Sequence, residues 1–385
     1  MARRARSKTP HADAGDLGAL RRRIDELDAR LVELINRRAE VAREIGHLKA
    51  RNGEQAYAPA REIEVYRRVS SLNKGPLPDD AFRAIYREIM SGTIAMERRT
   101  RVAFFGQPGT FTHLAATTKF GSSVEYLPSR DIRDVFMTVA RGQADFGIVP
   151  VENSTEGGVN QSVDHLGETR LKVVSEIYLP IHHHLLARCA PKEIRVLYSH
   201  PQPFAQCRIW LTGHMAEVER KEVGSTAEAA MRAKKDRRAG AIAGALASKL
   251  YGVPIRVANI EDQPDNITRF FVIGEKMSPP SGHDKTSLVV SIKDQAGALL
   301  NLLKPFQDHQ INLTRIESRP SKRRAWDYVF FIDLEGHVRD PKVETALKEI
   351  ESQVRHVEVL GSYPQAPRLP GPELRSGLMK GKVQS

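Results

Sequence analysis

Between Leu17 and Arg51 the apolar residues Leu20, Ile24, Leu27, Leu31, Leu34, Val41, Ile45 and Leu48 recur at alternating four- and three-residue steps, with no proline among them. That spacing is the seam of a helix packed against other helices. At about 1.5 Å per residue the helix is about 50 Å long, more than a small domain covers, so the pattern predicts a dimer of long helices. Two further helices follow, Arg61 to Leu72, stopped by Gly75-Pro76, and Asp79 to Arg99.

At Arg101 the period changes. Val102 to Phe105, Phe146 to Val151, Val173 to Tyr178, Ile194 to Tyr198, Ala239 to Ala243 and Phe270 to Ile273 read as buried strands with helices between several of them. This predicts an α/β module with a largely parallel sheet, whose ligands bind beyond the carboxyl ends of the strands. Ser278-Pro279-Pro280-Ser281-Gly282 marks a linker. Beyond it, strand 287–292, helix 297–309, strands 312–317 and 326–334, helix 341–353 and strand 357–360 give the order of a ferredoxin-like split β-α-β unit. The chain thus divides into an all-α module at 17–100, an α/β module at 101–277 and an α+β module at 286–363. The tails, 1–16 and 364–385, are rich in small, polar and Pro/Gly residues and are expected to be disordered.

A length of 385 residues agrees with two or three domains. No apolar run approaches the roughly 18 residues of a membrane span, and Met1 to Asp16 lacks the apolar core of a secretory signal, so a cytosolic enzyme is expected. Cys189 and Cys207 are read as free thiols in a reducing compartment. A formal charge of +12 raises nucleic-acid binding. Part of the excess lies in the tails, elsewhere bases alternate with acids, and zinc-finger and aromatic-basic RNA signatures are missing, which argues against it. No Walker or Gly-x-Gly-x-x-Gly sequence calls for a nucleotide cofactor, and neither cofactor nor metal is expected.

One step of the first helical seam falls on Arg38, where an aliphatic residue is due. A buried guanidinium must reach solvent, pair with an acid or face a bound anion. Lys49 lies eleven residues on, three turns plus about 20°, so both cations look the same way. Arg21 faces elsewhere and reaches that site only from a partner helix. In the α/β module, three polar loops follow strands: Gly106 to Thr112, Glu152 to Gly158 and Ser199 to Cys207. Each alone is ordinary capping chemistry; three together, rich in hydroxyls and amides, favour a ligand site. His182-His183-His184 is read as structural, because on a strand the middle ring faces away from its neighbours. His113 and His200, in the cleft loops, are better catalytic candidates.

The helix order and the spacing of Arg21, Arg38, Lys49 and Arg61-Glu62 resemble the all-helical chorismate mutase domain. The resemblance implies that Arg21 and Arg38 hold chorismate's carboxylates, Lys49 reaches the ether oxygen, and Arg61 and Glu62 meet the polar edge. Glu97, one turn after Thr93, stands where a glutamine is common, and Ala58 where an acid often is. Val151-Glu152-Asn153-Ser154 and Thr268-Arg269-Phe270 resemble prephenate dehydratase, whose fold looks like a two-lobed periplasmic binding protein. That implies Thr268 at the catalytic position with Glu152 as the competing proton donor. Arg269 would be the carboxylate anchor, and Asn153, Ser154, Thr155, Ser199, Gln206 and Phe270 substrate-binding residues. Gly297-Ala298-Leu299 and Glu317-Ser318-Arg319-Pro320 resemble the phenylalanine-binding motifs of an ACT regulatory domain, set between subunits. The whole implies an isomerase and lyase of phenylalanine biosynthesis, feedback-inhibited by phenylalanine, acting as a homodimer with tetramers left open. A dehydratase whose helical module only dimerises, and a catalytically dead phenylalanine-binding regulator, are the alternatives.

Overall fold

The computed structural model describes residues 17–52, 57–97, 99–292, 295–320 and 328–366. Both expected tails lie outside these residues, apart from 364–366, as do 326–327 of the expected strand. The chain forms two compact units, one ending at Ala56 and the other starting at Tyr57.

Among the described residues the first is one helix, α1 (Leu17–Arg51, 35 residues), about 52 Å long. Its seam is bare: Leu20, Ile24, Leu27, Leu31, Leu34, Val41, Ile45 and Leu48 all rank among the exposed large hydrophobics, between 49% and 59% accessible.

The second unit opens with α2 (Pro59–Leu72) and α3 (Asp79–Glu97). Pro59 sits at the start of α2, where its missing N–H costs nothing. Lobe one comprises β1 (Arg101–Phe105), α4 (Phe111–Phe120), β2 (Glu125–Ser129), α5 (Ile132–Ala140), β3 (Phe146–Asn153), β4 (Gly157–Gly158), α6 (Asn160–Leu166) and β5 (Lys172–Pro180). Lobe two holds β6 (His184–Ala187), β7 (Val196–Ser199), α7 (Pro201–Gln206), α8 (Arg208–His214), β8 (Glu219–Glu222), α9 (Thr226–Lys235), β9 (Ala239–Ala243), α10 (Ala245–Tyr251) and β10 (Ile255–Val257). The chain then returns to lobe one as β11 (Ile267–Gly274). The last domain is β12 (Asp284–Ser291), α11 (Ala298–Asp308), β13 (Leu313–Pro320), β14 (Tyr328–Glu335), α12 (Pro341–Gln353) and β15 (His356–Pro364).

The sheets are mixed rather than largely parallel. In lobe one the order is β2-β1-β3-β11-β5; β1 runs parallel to β2 and β3, while the returning β11 is antiparallel to both β3 and β5. Lobe two, β10-β6-β9-β7-β8, likewise joins parallel and antiparallel pairs. The departure has a topological cause. The chain leaves lobe one at Pro180 and re-enters at Ile267, so the return strand runs against its neighbours.

Helices α2 and α3 pack on lobe one. Tyr57 is buried with its ring 4.9 Å from that of Phe120 and 5.1 Å from that of Phe146. Glu62 pairs with Lys119 of α4 at 2.9 Å. The last domain has the expected ferredoxin-like sheet, β13-β14-β12-β15. One sheet face is covered by α11 and α12 through Leu288, Val290, Leu302, Phe306 and Ile350. The opposite face buries Val289, Phe331, Leu360 and Tyr363 in a core shared with Val151, Val173 and Phe271 of lobe one. Gly361 permits that docking, since a Cβ there would lie 2.2 Å from the carbonyl oxygen of Val173. The expected linker is itself docked: Ser278 donates to Val174 O (2.8 Å) and accepts at its carbonyl from His337 (3.0 Å).

Candidate active site

The strand alternation of β11 divides its motif. Phe270 and Val272 point into the core that holds Phe104 and Phe146, whereas Phe271 and Ile273 point into the core shared with the last domain. Thr268 takes the Phe270 side. Arg269 takes the other, its guanidinium 4.8 Å from the Phe271 ring.

On the Thr268 side a set of side-chain amides converges. Asn153 Nδ2, at the end of β3, donates to Thr268 Oγ1 (2.8 Å) and to Asn266 Oδ1 (2.7 Å). Its Oδ1 accepts from the backbone N–H of Thr155 (3.0 Å) and Glu156 (3.1 Å) and from Thr155 Oγ1 (2.6 Å), an Asx-type turn that orders the loop. Ser154 Oγ accepts from Ile267 N (2.9 Å), tying the same loop to the return crossover. From lobe two, Gln206 at the end of α7 donates to Glu156 Oε1 (3.2 Å) and Thr155 Oγ1 (3.4 Å), and accepts from Asn266 Nδ2 (3.2 Å). The structure thus brings together Thr268, Asn153, Ser154, Thr155 and Gln206, all expected from sequence. Thr268 Oγ1 accepts from Asn153 and donates to no protein group among the described residues, so its own proton is available to a ligand.

Other expected residues lie elsewhere. Arg269 is 4% exposed and its guanidinium is held by Glu176 (2.9 Å) and Asp333, with Tyr363 OH at 3.1 Å, so it is not free to anchor a carboxylate on the Thr268 side. Phe270 is 1% exposed and belongs to the core. Glu152 is next to Asn153 on a strand and faces the opposite way, its carboxylate 3.9 Å from Arg269 and 3.7 Å from Arg315. It bridges two guanidiniums rather than meeting Thr268. Ser199, fully buried, donates to Ile242 O (3.1 Å) and braces β7 against β9. His113 stacks on Phe104 at 4.6 Å and accepts from Gly109 N (3.1 Å), while His200 caps α7; both are local supports.

Two residues of the cluster went unassigned in sequence. Asn266 was visible only as a polar neighbour of Thr268. His183 was set aside with its flanking histidines, yet its Nε2 lies 2.7 Å from Gln206 Oε1 and its ring meets the Phe111 edge at 5.4 Å. Its neighbours are structural as expected: His182 pairs with Glu261 (2.7 Å), and His184 accepts from Asn259 N (3.1 Å).

In the helical elements, Arg38 and Lys49 are half-buried and Arg21 exposed on α1. Arg61 is exposed and pairs with Glu64 at 2.6 Å. Glu62, expected at a substrate's polar edge, is instead 8% exposed and accepts from Tyr57 OH (2.8 Å) and Tyr66 OH (3.1 Å) beside Lys119. Thr93 is buried and donates to Ile89 O (2.7 Å), so its proton stays within the helix. Glu97 ends α3, with its side chain outside the described part of the structure.

The expected effector motifs are also divided. Gly297 caps α11 in the left-handed conformation (φ 79°), with Ala298 opening the helix and Leu299 exposed. On β13, Arg315, Glu317 and Arg319 face lobe one. Arg319 donates to Asn160 O (2.9 Å) and lies 3.4 Å from Asp164, and Glu317 accepts from both arginines and abuts Gly158. Ser318, between them, is exposed. Arg319 and Pro320 line a half-open cavity of about 230 Å³ between α6 and the sheet, with Val289, Phe331, Asp164 and His356 among its walls.

A mostly bare cationic helix, a two-lobed body with an amide-lined site at its crossovers, and a docked ferredoxin-like domain together define a modular enzyme of small anionic substrates with an appended regulatory domain. Family models agree module by module: chorismate mutase type II matches residues 20–98, prephenate dehydratase 102–278 and the ACT domain 286–352. Over 356 residues the chain is 45% identical to the bifunctional chorismate mutase/prephenate dehydratase of Aquifex aeolicus, covering 91% of this chain and 98% of that one. The chain belongs to the bifunctional chorismate mutase/prephenate dehydratase family. Among solved structures, the prephenate dehydratase of Arthrobacter aurescens in complex with L-Phe is 30% identical with a TM-score of 0.65, over 73% of this chain and all of that one. A protein described as a novel type of quorum quenching acylase is also similar, at 29% identity and a TM-score of 0.64, over 69% of this chain and 98% of that one.

Proposed function

We propose that the chain converts chorismate to prephenate and prephenate to phenylpyruvate, as an isomerase and a lyase of phenylalanine biosynthesis under feedback by phenylalanine. The observation that supports the dehydratase half is the Asn153–Thr268 bond at 2.8 Å, in which the threonine oxygen accepts and so keeps its own O–H to donate. In dehydration the bond to the ring carboxylate breaks and CO2 departs. Its electron pair aromatises the ring and expels the hydroxyl, which leaves as water with the proton donated at Thr268 Oγ. Thr268 then regains a proton from solvent. Arg269 and Glu152 support the strands from the opposite face, and neither is assigned a contact with the substrate.

The mutase half rests on α1. A pericyclic rearrangement breaks the ether C–O bond and forms a C–C bond with no nucleophile, so it needs only a pocket that folds the substrate and stabilises charge on the departing oxygen. Arg38 and Lys49 on one face of α1 supply cations for a carboxylate and the ether oxygen, and Arg21 enters from a second copy. The bare seam supports that homodimer, since eight large apolar side chains half in water is a costly surface for a lone chain. Phenylalanine as effector at Gly297–Leu299 and Glu317–Pro320, and action in the cytoplasm, complete the reading.

The test is to incubate the purified chain with chorismate and follow prephenate and phenylpyruvate, with and without phenylalanine. Thr268→Ala should stop phenylpyruvate formation while prephenate still accumulates. Equal loss of both products would contradict separate sites, and an acylase activity without either product would favour a different chemistry on the same fold.

A further inference from the structure

The amide cluster beside Thr268 has a definite polarity, and it ends on a residue that the sequence marked only as structural. Its fixed end is backbone. The N–H groups of Thr155 and Glu156 can only donate, so the Asn153 atom they reach, at 3.0 and 3.1 Å, must be its carbonyl oxygen. Asn153 therefore presents its NH2 to Thr268 and to Asn266, at 2.8 and 2.7 Å. Asn266 accepts there and must present its own NH2 to Gln206, at 3.2 Å. Gln206 accepts at Oε1 and turns its NH2 to Thr155 and Glu156. The remaining contact to Gln206 Oε1, His183 Nε2 at 2.7 Å, has to be a donor. Each amide is thereby oriented, and the histidine tautomer follows from the backbone at the far end.

That assignment accounts for a second observation. His183 is 1% exposed, and its Nδ1 has no hydrogen-bond partner among the described residues. With Nε2 carrying the proton, Nδ1 keeps a bare buried lone pair, an unfavourable group that a purely structural position would shed by taking an apolar residue. Burial likewise pushes the imidazole pKa down, which keeps the ring neutral. The backbone around His183 is tied to both crossovers between the lobes. It follows β5, its carbonyl accepts from Ile260 N (2.8 Å), and Ile181 N donates to Asn266 O (2.8 Å).

We infer that His183 is a positioning residue for dehydration: its Nε2–H fixes the Gln206 amide that spans from lobe two to the Thr155–Glu156 loop, and so closes the hydrogen-bonded chain that ends on Thr268. It touches no reacting atom. Without it, Gln206 Oε1 keeps only the longer bond from Asn266, and its NH2 is free to swing off the loop that orders Asn153. The inference rests on the dehydratase reading above, and the wild-type chain is the control. If it forms no phenylpyruvate, that reading fails before His183 is tested.

The experiment measures dehydratase kcat and KM, and mutase kcat, in full-length variants. His183→Phe keeps the ring and its edge contact with Phe111 but lacks the donor. The expected result is a dehydratase kcat lowered roughly tenfold to a hundredfold, as for small misplacements of reacting groups, with mutase kcat unchanged. His183→Gln, whose amide nitrogen falls near the Nε2 position, should restore most of the loss. In a Gln206→Leu background the His183→Phe substitution should add little, because the histidine acts through that amide. Should His183→Phe be recovered unfolded, His183→Asn, whose shorter amide cannot reach Gln206, is expected to show the same fall. Wild-type kcat in the donor-lacking variant would overturn the inference, as would a loss that His183→Gln does not repair or one fully additive with Gln206→Leu.

Discussion

Arg269 follows Thr268 directly in β11, and its guanidinium is bound to Asp333 in β14 of the ACT domain. The strand that carries the Thr268 hydroxyl is thus tied, one residue away, to the ACT domain. Glu176 (2.8 Å) and Tyr363 OH (3.1 Å) complete the coordination of Arg269, Lys285 pairs with Glu176 at 3.1 Å, and Ser287 donates to Asp333. Two cations and two carboxylates, each at most 6% exposed by side chain, balance one another at this interface. Any movement of the ACT sheet relative to lobe one must either carry Arg269 along or separate buried charges.

Asp333→Asn tests that link. It keeps the shape and leaves an excess positive charge buried, a loss expected to cost about 3 kcal/mol on the scale of broken buried pairs. The denaturation midpoint should fall accordingly. Dehydratase activity should become less responsive to phenylalanine while mutase turnover holds. A variant as stable and as inhibitable as the parent would show that the pair neither braces nor couples the domains.

Acid should weaken the fold in two stages. Burial pushes the pKa values of His113, His183 and His184 below the ordinary imidazole value of 6.5. Just below that value the unfolded chain binds protons that the folded chain refuses, so these groups favour folding above about pH 6.5 and lose that advantage as pH falls beneath it. The carboxylates respond later. Burial alone would raise Asp333, but Arg269 and the Ser287 hydroxyl hold it below the usual carboxylate value of 3.8. Its contribution is present above that value and is lost as pH falls through the depressed folded pKa. The expected record is a melting temperature that declines already between pH 7 and pH 5.5, then more steeply under stronger acid. A flat profile down to pH 5 would rule out the imidazole stage.

The elements were legible where one period governed the burial of a segment. α1 and α12 stand where the seam and the ferredoxin-like order put them, and the six strands read from apolar runs are all present. The parallel sheet was misjudged because strand direction depends on where the chain leaves a lobe and returns, which no local pattern records. Within the site, Thr268, Asn153, Ser154, Thr155 and Gln206 were readable as a motif. Arg269 and Glu152 were assigned to the wrong face because a motif is written as a line while a strand alternates. His183 was hidden by its neighbours, since the triplet as a whole read as structural, and its partner Gln206 is 23 residues away in the chain.

The identity of Glu97 sets an expectation for the mutase. If that position meets the ether oxygen, a glutamine there donates at any pH, whereas a glutamate donates only while protonated. Mutase turnover should therefore fall as pH rises through the carboxyl's titration, and Glu97→Gln should remove the dependence. Parallel, flat pH–rate curves for the two proteins would show that Glu97 makes no such contact.

The bare seam of α1 makes the sharpest demand on assembly. Leu27 and Leu34 lie seven residues apart on one face, 57% and 59% accessible, so both large apolar side chains are left mostly in water on a lone chain. If a second α1 covers them, a carboxylate at either position is buried without a partner and should split the dimer. Leu27→Glu and Leu34→Glu are each expected to halve the mass measured by light scattering. Both should abolish mutase activity, because Arg21 then has no second site to enter, while Thr268 and its amide neighbours, all carried within one chain, continue to dehydrate prephenate. Mutase activity that survives in a monomer would place the whole of that site in a single chain and remove Arg21 from the trans position.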